Sequence, residues 1–435
     1  MRRAELNTIL PAVLRRIAGG AISLLLAVSS SPSSAADPGL VARGEYLAKV
    51  GDCIACHSTP NGKPFAGGMP MVTPMGRIFT TNITPDRRTG IGTYSEQDFS
   101  RAVREGVAKD GRNLYPAMPY PSYAKISDDD MKAMYAYFMN GVPAVTQVNR
   151  NSDIPWPLSM RWPLKIWNVL FLDSSPYRSN PQKTAQWNRG AYLIQGLGHC
   201  GACHTPRGIA FQEKAMDESG PTFLSGAVVE NWYASSLTAD SKRGIGRWSE
   251  ADIVEFLRTG ANRHATAFGS MVDVVNHSTQ HLVDDDARAI AAYLKSYPPI
   301  GGDAGAAVAA LDPTTKIALR TGPVSPGEKT YGTYCLHCHR ADGKGSAPWL
   351  APLAGNPNVL EANPVGLINV TLNGSETLVI AGIPAAYPMP RYHAVLEDRQ
   401  IADVLTYVRG AWGNDAPAVS VDAVAKVRRA TAPTR

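Results

Sequence analysis

Apolar and polar positions follow a pattern that recurs three times along the 435 residues. Three segments open on acidic residues and continue as an apolar, tyrosine-bearing helical face: Asp128 to Phe138, Asp284 to Leu294 and Glu397 to Val408. Acidic side chains complement the positive end of a helix, and Ser127 is placed to cap the first of these. Ala136-Tyr137-Phe138, Ala292-Tyr293-Leu294 and Thr406-Tyr407-Val408 occupy equivalent positions. Each closing segment has an opening partner that carries glycine and tyrosine: Gly44 with Tyr46, Gly190 with Tyr192, and Gly327 with Tyr331. A glycine there predicts that the opening and closing helices cross closely. The repeat is roughly a hundred residues long, the size of a small domain.

The first two units share a further segment. Thr81-Asn82-Ile83-Thr84, with Gly90, Gly92 and Tyr94, answers Ser235-Ser236-Leu237-Thr238, with Gly244, Gly246 and Trp248. Ser95 and Ser249 follow as helix N-caps, and the third unit lacks the segment. The pattern predicts an all-α chain of three tandem domains at 37–149, 182–300 and 323–413. The 150–181 connector is rich in Pro and Trp, and its apolar run from Trp162 to Leu172 is expected to pack between two domains. A docking surface for a partner subunit or the membrane interface is the other reading. The 301–322 connector is rich in Gly, Ala, Pro and Thr and reads as flexible. The 414–435 tail has few large apolar residues and is expected to be peripheral.

At the N-terminus, Arg2, Arg3, Arg15 and Arg16 precede an apolar stretch from Ile17 to Val28, then Ser34-Ala35-Ala36. This predicts a secretory signal over 1–36, cut after Ala36; the alternative is a retained anchor, for which the stretch is short. No later run reaches the ~18 apolar residues of a membrane helix. Composition changes little: the net charge is +6, but Lys and Arg are dispersed, so no nucleic-acid role is expected.

The six cysteines change the picture, because all fall in one motif: Cys53-Ile54-Ala55-Cys56-His57, Cys200-Gly201-Ala202-Cys203-His204 and Cys335-Leu336-His337-Cys338-His339. C-x-x-C-H attaches c-type haem: two thioethers hold the porphyrin and the next residue brings an imidazole to the iron. Zinc would need the pairs combined into four-ligand sets, and three pairs do not divide that way. A thiol–disulfide couple explains neither the histidine nor the repetition. Three covalent haems are expected, on cytochrome c-like domains. Haem c is assembled after export, so motifs and signal call for the same compartment: the periplasm.

His57, His204 and His339 are the proximal ligands on this reading. The opposite axial position separates closed electron carriers, with a Met thioether, from open catalytic haems. After His339 the only methionine is Met389, held between Pro388 and Pro390, with His393 as rival. In the second unit Met271 lies just ahead of the closing helix; Met216, His264, His277 and His281 compete, although Met216 follows His204 by only twelve residues. In the first unit Met118 also lies among prolines, in Pro116-Ala117-Met118-Pro119, with Met69, Met71 and Met75 as rivals. Met131, Met134 and Met139 fall on or beside a helix and are expected in the core.

Over nearly the whole length that follows the signal, the sequence resembles the triheme cytochrome c subunit of periplasm-facing membrane dehydrogenases. These include quinoprotein alcohol dehydrogenase and the gluconate and sorbitol dehydrogenases. The most specific stretches are Thr81-Asn82-Ile83-Thr84-Pro85, Leu114-Tyr115-Pro116-Ala117-Met118-Pro119-Tyr120, Phe268-Gly269-Ser270-Met271 and the Trp-rich connector. The resemblance implies electrons taken from a catalytic subunit of flavin, PQQ or molybdenum type and passed to ubiquinone or a terminal oxidase. It also implies peripheral attachment to the periplasmic face of the cytoplasmic membrane. Members often attach by a C-terminal amphipathic segment; here Val421, Val424 and Val427 are interrupted by Lys426, Arg428 and Arg429. No dinucleotide fingerprint, nucleophile motif or second metal cluster appears, so the chain reads as a redox subunit without catalytic residues of its own. A free-standing shuttle and a multihaem peroxidase are the alternatives, the latter requiring an open iron.

Overall fold

The computed structural model describes residues 37–298 and 324–432. The expected signal at 1–36 and the expected 301–322 connector lie outside them. The described residues are largely helical, with three short antiparallel hairpins that the hydrophobic pattern did not predict.

The first unit opens with α1 (Pro38–Val50), where Asp37 accepts the Gly39 amide and Pro38 starts the helix. The motif helix α2 (Cys53–His57) follows, then the hairpin β1 (Pro70–Thr73) and β2 (Gly76–Phe79). Ser95 and Asp98 form a reciprocal capping box at the start of α3 (Glu96–Glu105). A short α4 (Tyr120–Tyr123) leads to α5 (Asp128–Asn140), capped by Ser127. After the connecting helix α6 (Pro163–Phe171), the second unit repeats this order. It contains α7 (Ala185–Tyr192), a buried π-helical turn, α8 (Gly201–His204) and the hairpin β3 (Ala227–Val229) and β4 (Trp232–Ala234). Then come α9 (Glu250–Thr259) with the Ser249–Asp252 capping box, α10 (Ser270–His277) and α11 (Asp284–Ser296). The third segment carries α12 (Pro326–Tyr334), α13 (Leu336–His339), α14 (Pro357–Leu360) and α15 (Val365–Asn373). It ends with the hairpin β5 (Val379–Ile380) and β6 (Ile383–Pro384), then α16 (Asp398–Gly410) and α17 (Val421–Ala430).

Opening and closing helices cross at the repeated glycines. A Cβ on Gly44 would stand 2.0 Å from the Ala133 carbonyl oxygen; for Gly190 and Ala289 the figure is 2.0 Å, and for Gly327 and Asp403 it is 2.1 Å. Only hydrogen fits there, so α1–α5, α7–α11 and α12–α16 pack backbone to backbone. One continuous apolar core runs through the first two units, from Leu47 and Met131 to Leu193 and Tyr293. The third segment has its own core around Tyr331, Ile401 and Trp412. A small cluster, Val272 and Val275 against Leu378 and Ala386, joins it to the second unit.

Two expectations need correction. The tail is not peripheral: Ser420 caps α17, and Val424 and Val427 are buried in the third core because their three-residue spacing forms a stripe. Arg428 fastens this helix to Asp398 at 2.6 Å and to the Leu396 carbonyl. The apolar connector packs only along one edge. Trp167 donates to the Ala210 carbonyl (2.8 Å), and Asn168 joins the Tyr120 hydroxyl to the Glu105 carbonyl. The opposite edge of α6, with Ile166, Val169 and Leu170, faces solvent.

Candidate functional site

The three C-x-x-C-H motifs lie on the short helices α2, α8 and α13, each presenting its cysteines and histidine from one helical turn. Among the described residues, none of the six cysteines is paired in a disulfide. The proximal candidates share one geometry. His57 Nδ1 meets the Thr81 carbonyl oxygen at 2.7 Å, His204 Nδ1 meets that of Ser235 at 2.6 Å, and His339 Nδ1 meets that of Ala351 at 2.9 Å. A carbonyl can only accept, so each imidazole carries its proton on Nδ1 and keeps the Nε2 lone pair for a metal. Burial pulls all three imidazoles below their ordinary value, which favours the neutral, ligating form.

These acceptors explain the segment shared by the first two units. Thr81 and Ser235 begin it, and the side chains behind them hold the backbone in place. Asn82 Oδ1 accepts from the Thr84 amide and hydroxyl, and Ser236 Oγ accepts from the Thr238 amide. The repetition was visible in the sequence, but the role was not, because a carbonyl acceptor has no side-chain signature. Ala351, which takes the same part in the third segment, had no signal at all.

A cavity of about 440 Å³ adjoins the second motif and is lined by Cys200, Cys203, His204 and Met271. Leu193, Phe256, Ile290 and Leu294 supply apolar walls. Met216 also lines it, whereas His264 is stacked on Trp248 with the rings 5.5 Å apart, and His264, His277 and His281 are not part of the wall. Cys56 of the first motif and Met71 of β1 reach the same cavity, so the first two motifs open toward each other. Met118 is half-buried against the core that also holds Cys53; Met131 and Met134 are buried in that core. Met389 is tied down by the Ser375 hydroxyl, which accepts its amide at 2.8 Å. His393 Nε2 is enclosed without a protein partner in the same region.

Four enclosed polar atoms on residues that line this cavity have no protein partner: Asp52 Oδ1, Glu213 Oε2, Trp248 Nε1 and Thr279 Oγ1. Burial pushes the Glu213 carboxyl up to about 7 against the opposing pull of Arg207. An enclosed indole donor without an acceptor fits a group that brings its own carboxylates. Two thiols, an imidazole Nε2, a thioether and apolar walls fit the rest of a covalently bound haem.

A cytochrome c family model matches residues 41–141 and 324–412. The gluconate 2-dehydrogenase cytochrome c subunit of Pantoea cypripedii is 52% identical over 402 residues, 91% of this chain and 90% of that protein. The chain belongs to this family of dehydrogenase cytochrome c subunits. The cytochrome c subunit of alcohol dehydrogenase (quinone) from Gluconacetobacter polyoxogenes is 48% identical, covering 95% of this chain and 89% of that one. The fructose dehydrogenase cytochrome subunit of Gluconobacter japonicus is 38% identical, covering 92% and 84%. Membership of the cytochrome c family implies covalent c-type haem, in keeping with the imidazole geometry at the motifs.

Proposed function

We propose that the chain holds three c-type haems on three tandem cytochrome c-like domains and is the electron-relay subunit of an exported, membrane-associated dehydrogenase. Electrons enter from a catalytic subunit of flavin, PQQ or molybdenum type and leave for ubiquinone or a terminal oxidase. Cys53 and Cys56, Cys200 and Cys203, and Cys335 and Cys338 supply the thioethers. His57, His204 and His339 are the proximal ligands, and Met118, Met271 and Met389 close the opposite faces. Bound there, each haem supplies one-electron redox chemistry. The chain holds each imidazole in one tautomer, surrounds the cofactor with apolar walls and sets the mutual placement of the sites.

The observation that carries this reading is the threefold recurrence of the Nδ1-to-carbonyl bond at C-x-x-C-H, on a chain whose relatives serve different dehydrogenases. Those relatives are named for gluconate, alcohol and fructose, while the cytochrome subunit stays alike over nearly its whole length. Substrate chemistry therefore belongs to the catalytic partner. The second unit supports a relay arrangement: it shares a core with the first and contacts the third through Asn276, Gln280 and Ser235.

The mass of the purified chain tests the haem count, with three covalently added haems expected and two ruling out the third site. Purification from the native host tests the role. A larger oxidoreductase subunit is expected to accompany the chain, and oxidation of an alcohol or sugar by the isolated chain would refute the assignment.

A further inference from the structure

The connecting helix α6 leaves an apolar face uncovered by any described residue. Val169 is 79% exposed, Leu170 66% and Ile166 53%, and Trp156, Leu158 and Trp162 continue the face on its N-terminal side. The bond from Trp167 to the Ala210 carbonyl sets Ile209 and Phe211, both exposed, beside it. Scattered apolar residues on a surface need no explanation, but a contiguous patch does. This one is held rigidly, since Trp167 and Asn168 anchor the inner edge of α6 to both flanking units.

The chemistry of the segment selects its occupant. Between Ile154 and Leu172 there are three tryptophans and two basic residues, Arg161 and Lys165, and no Asp or Glu. Arg161 is already engaged, its guanidinium lying 3.6 Å from the centroid of the Tyr115 ring and donating to the Asn113 carbonyl. Lys165 is exposed and makes no ion pair among the described residues. Nine helical residues span only about 14 Å, far less than a bilayer core, so the helix can lie in a membrane surface but cannot cross it. No helix among the described residues is long and apolar enough to cross. Tryptophans beside aliphatic side chains, with an unpaired lysine and no acid, suit the headgroup boundary of an anionic bilayer.

We infer that the outer face of α6, with Ile209 and Phe211, is the element by which this chain docks on an anionic lipid surface. The inference specifies the membrane association of the proposed function. It also has a consequence for the second site, because Trp167 and Phe171 on α6 line the cavity at Cys200 and Cys203. Docking through α6 sets that cavity wall beside the lipid.

Sedimentation of the purified, haem-loaded chain with vesicles tests this, comparing phosphatidylcholine alone with phosphatidylcholine mixed with phosphatidylglycerol. The parent chain is expected to bind the anionic vesicles and to show tryptophan quenching by brominated acyl chains. Combined Ile166→Ser, Val169→Ser and Leu170→Ser, all at exposed positions, should weaken vesicle binding about a hundredfold. Lys165→Glu should weaken it about tenfold on anionic vesicles and leave binding to neutral ones nearly unchanged. A parent chain that ignores vesicles, or a triple variant that binds as the parent does, overturns the inference. So does a triple variant with unchanged vesicle binding that no longer associates with the catalytic subunit, since the face then belongs to a protein partner. Haem content and absorption spectrum are read on the same samples, so a failed docking surface is distinguished from a failed haem assignment.

Discussion

Each imidazole proposed as a proximal ligand is aligned by one carbonyl oxygen, and this small constraint decides which nitrogen is left for a metal. The proposed opposite ligand is a side chain and can be removed. Met118→Ala, Met271→Ala and Met389→Ala are each expected to convert one of the three proposed haems to a form that binds carbon monoxide when reduced. The parent should bind none, and titration of the absorption change counts the sites. At the second cavity, an unchanged Met271→Ala spectrum would pass the role to Met216, which lines the same wall. Glu213 adds a pH dependence there. Its folded carboxyl, raised to about 7 by burial, lies above an unfolded value of about 4.3. The native state therefore keeps a proton that the unfolded chain has lost between those values. Stability is expected to fall as pH rises across that window and to change no further above it; denaturation midpoints of Glu213→Gln should lack this slope. A negative charge beside the cavity also favours the oxidised haem. The reduction potential of one haem should therefore drop as pH passes about 7 in the parent and stay flat in Glu213→Gln.

Helix crossings separate the glycines into two kinds. Gly44, Gly190 and Gly327 face carbonyl oxygens of the crossing helix, so Ala at any of them is expected to cost about 3 kcal/mol or more by forcing the helices apart. Gly332, inside α12, has nothing within 4 Å of an added Cβ. Gly332→Ala should instead stabilise by about 0.5–1 kcal/mol through helix propensity alone. Chemical denaturation of the four variants checks both directions. These crossings and the Ser95, Ser127 and Ser249 caps were legible in the sequence because spacing and capping chemistry are local. The hairpins were not, since strands of two to four residues have no alternation to read. An apolar run such as that in α6 looks alike whether it faces a core or solvent, which is why its orientation had to come from the fold. The stripe of Val421, Val424 and Val427 in α17 is masked in the sequence by its basic neighbours, one of which, Arg428, is paired with Asp398 in the fold.

At the scale of the whole molecule, the first two units are joined by a reciprocal exchange. Tyr46 of α1 donates to Asp286 at the start of α11 (2.6 Å), and Tyr192 of α7 donates to Asp130 at the start of α5 (2.6 Å). Arg43 bonds Asp130 within the first unit, and Arg189 bonds both oxygens of Asp286 within the second. Tyr46 and Tyr192 thus serve the neighbouring unit, and the third segment, with Lys329 and Gln400 at the equivalent positions, lacks the exchange. Together with the common core, this predicts that 37–298 melts as one body, with the third segment contacting it through the smaller cluster of Val272, Val275, Leu378 and Ala386. Tyr192→Phe leaves the buried Asp130 short of a donor and is expected to cost about 1–3 kcal/mol. A double-mutant cycle of Tyr46→Phe and Asp286→Asn should show coupling of about 0.5–3 kcal/mol. Burial alone would raise the Asp286 carboxyl, but the bonds from Arg189 and Tyr46 outweigh it and hold the group below the usual range. Its contribution is therefore complete above the unfolded carboxyl value and is lost as pH falls through the lower folded value. Calorimetry of the haem-loaded chain resolves the units. Tyr192→Phe, Asp286→Asn and a pH below the usual carboxylate range should each lower one transition, the joint melting of the first two units, and leave that of the third segment in place. Equal displacement of both transitions would mean that the three segments melt as one.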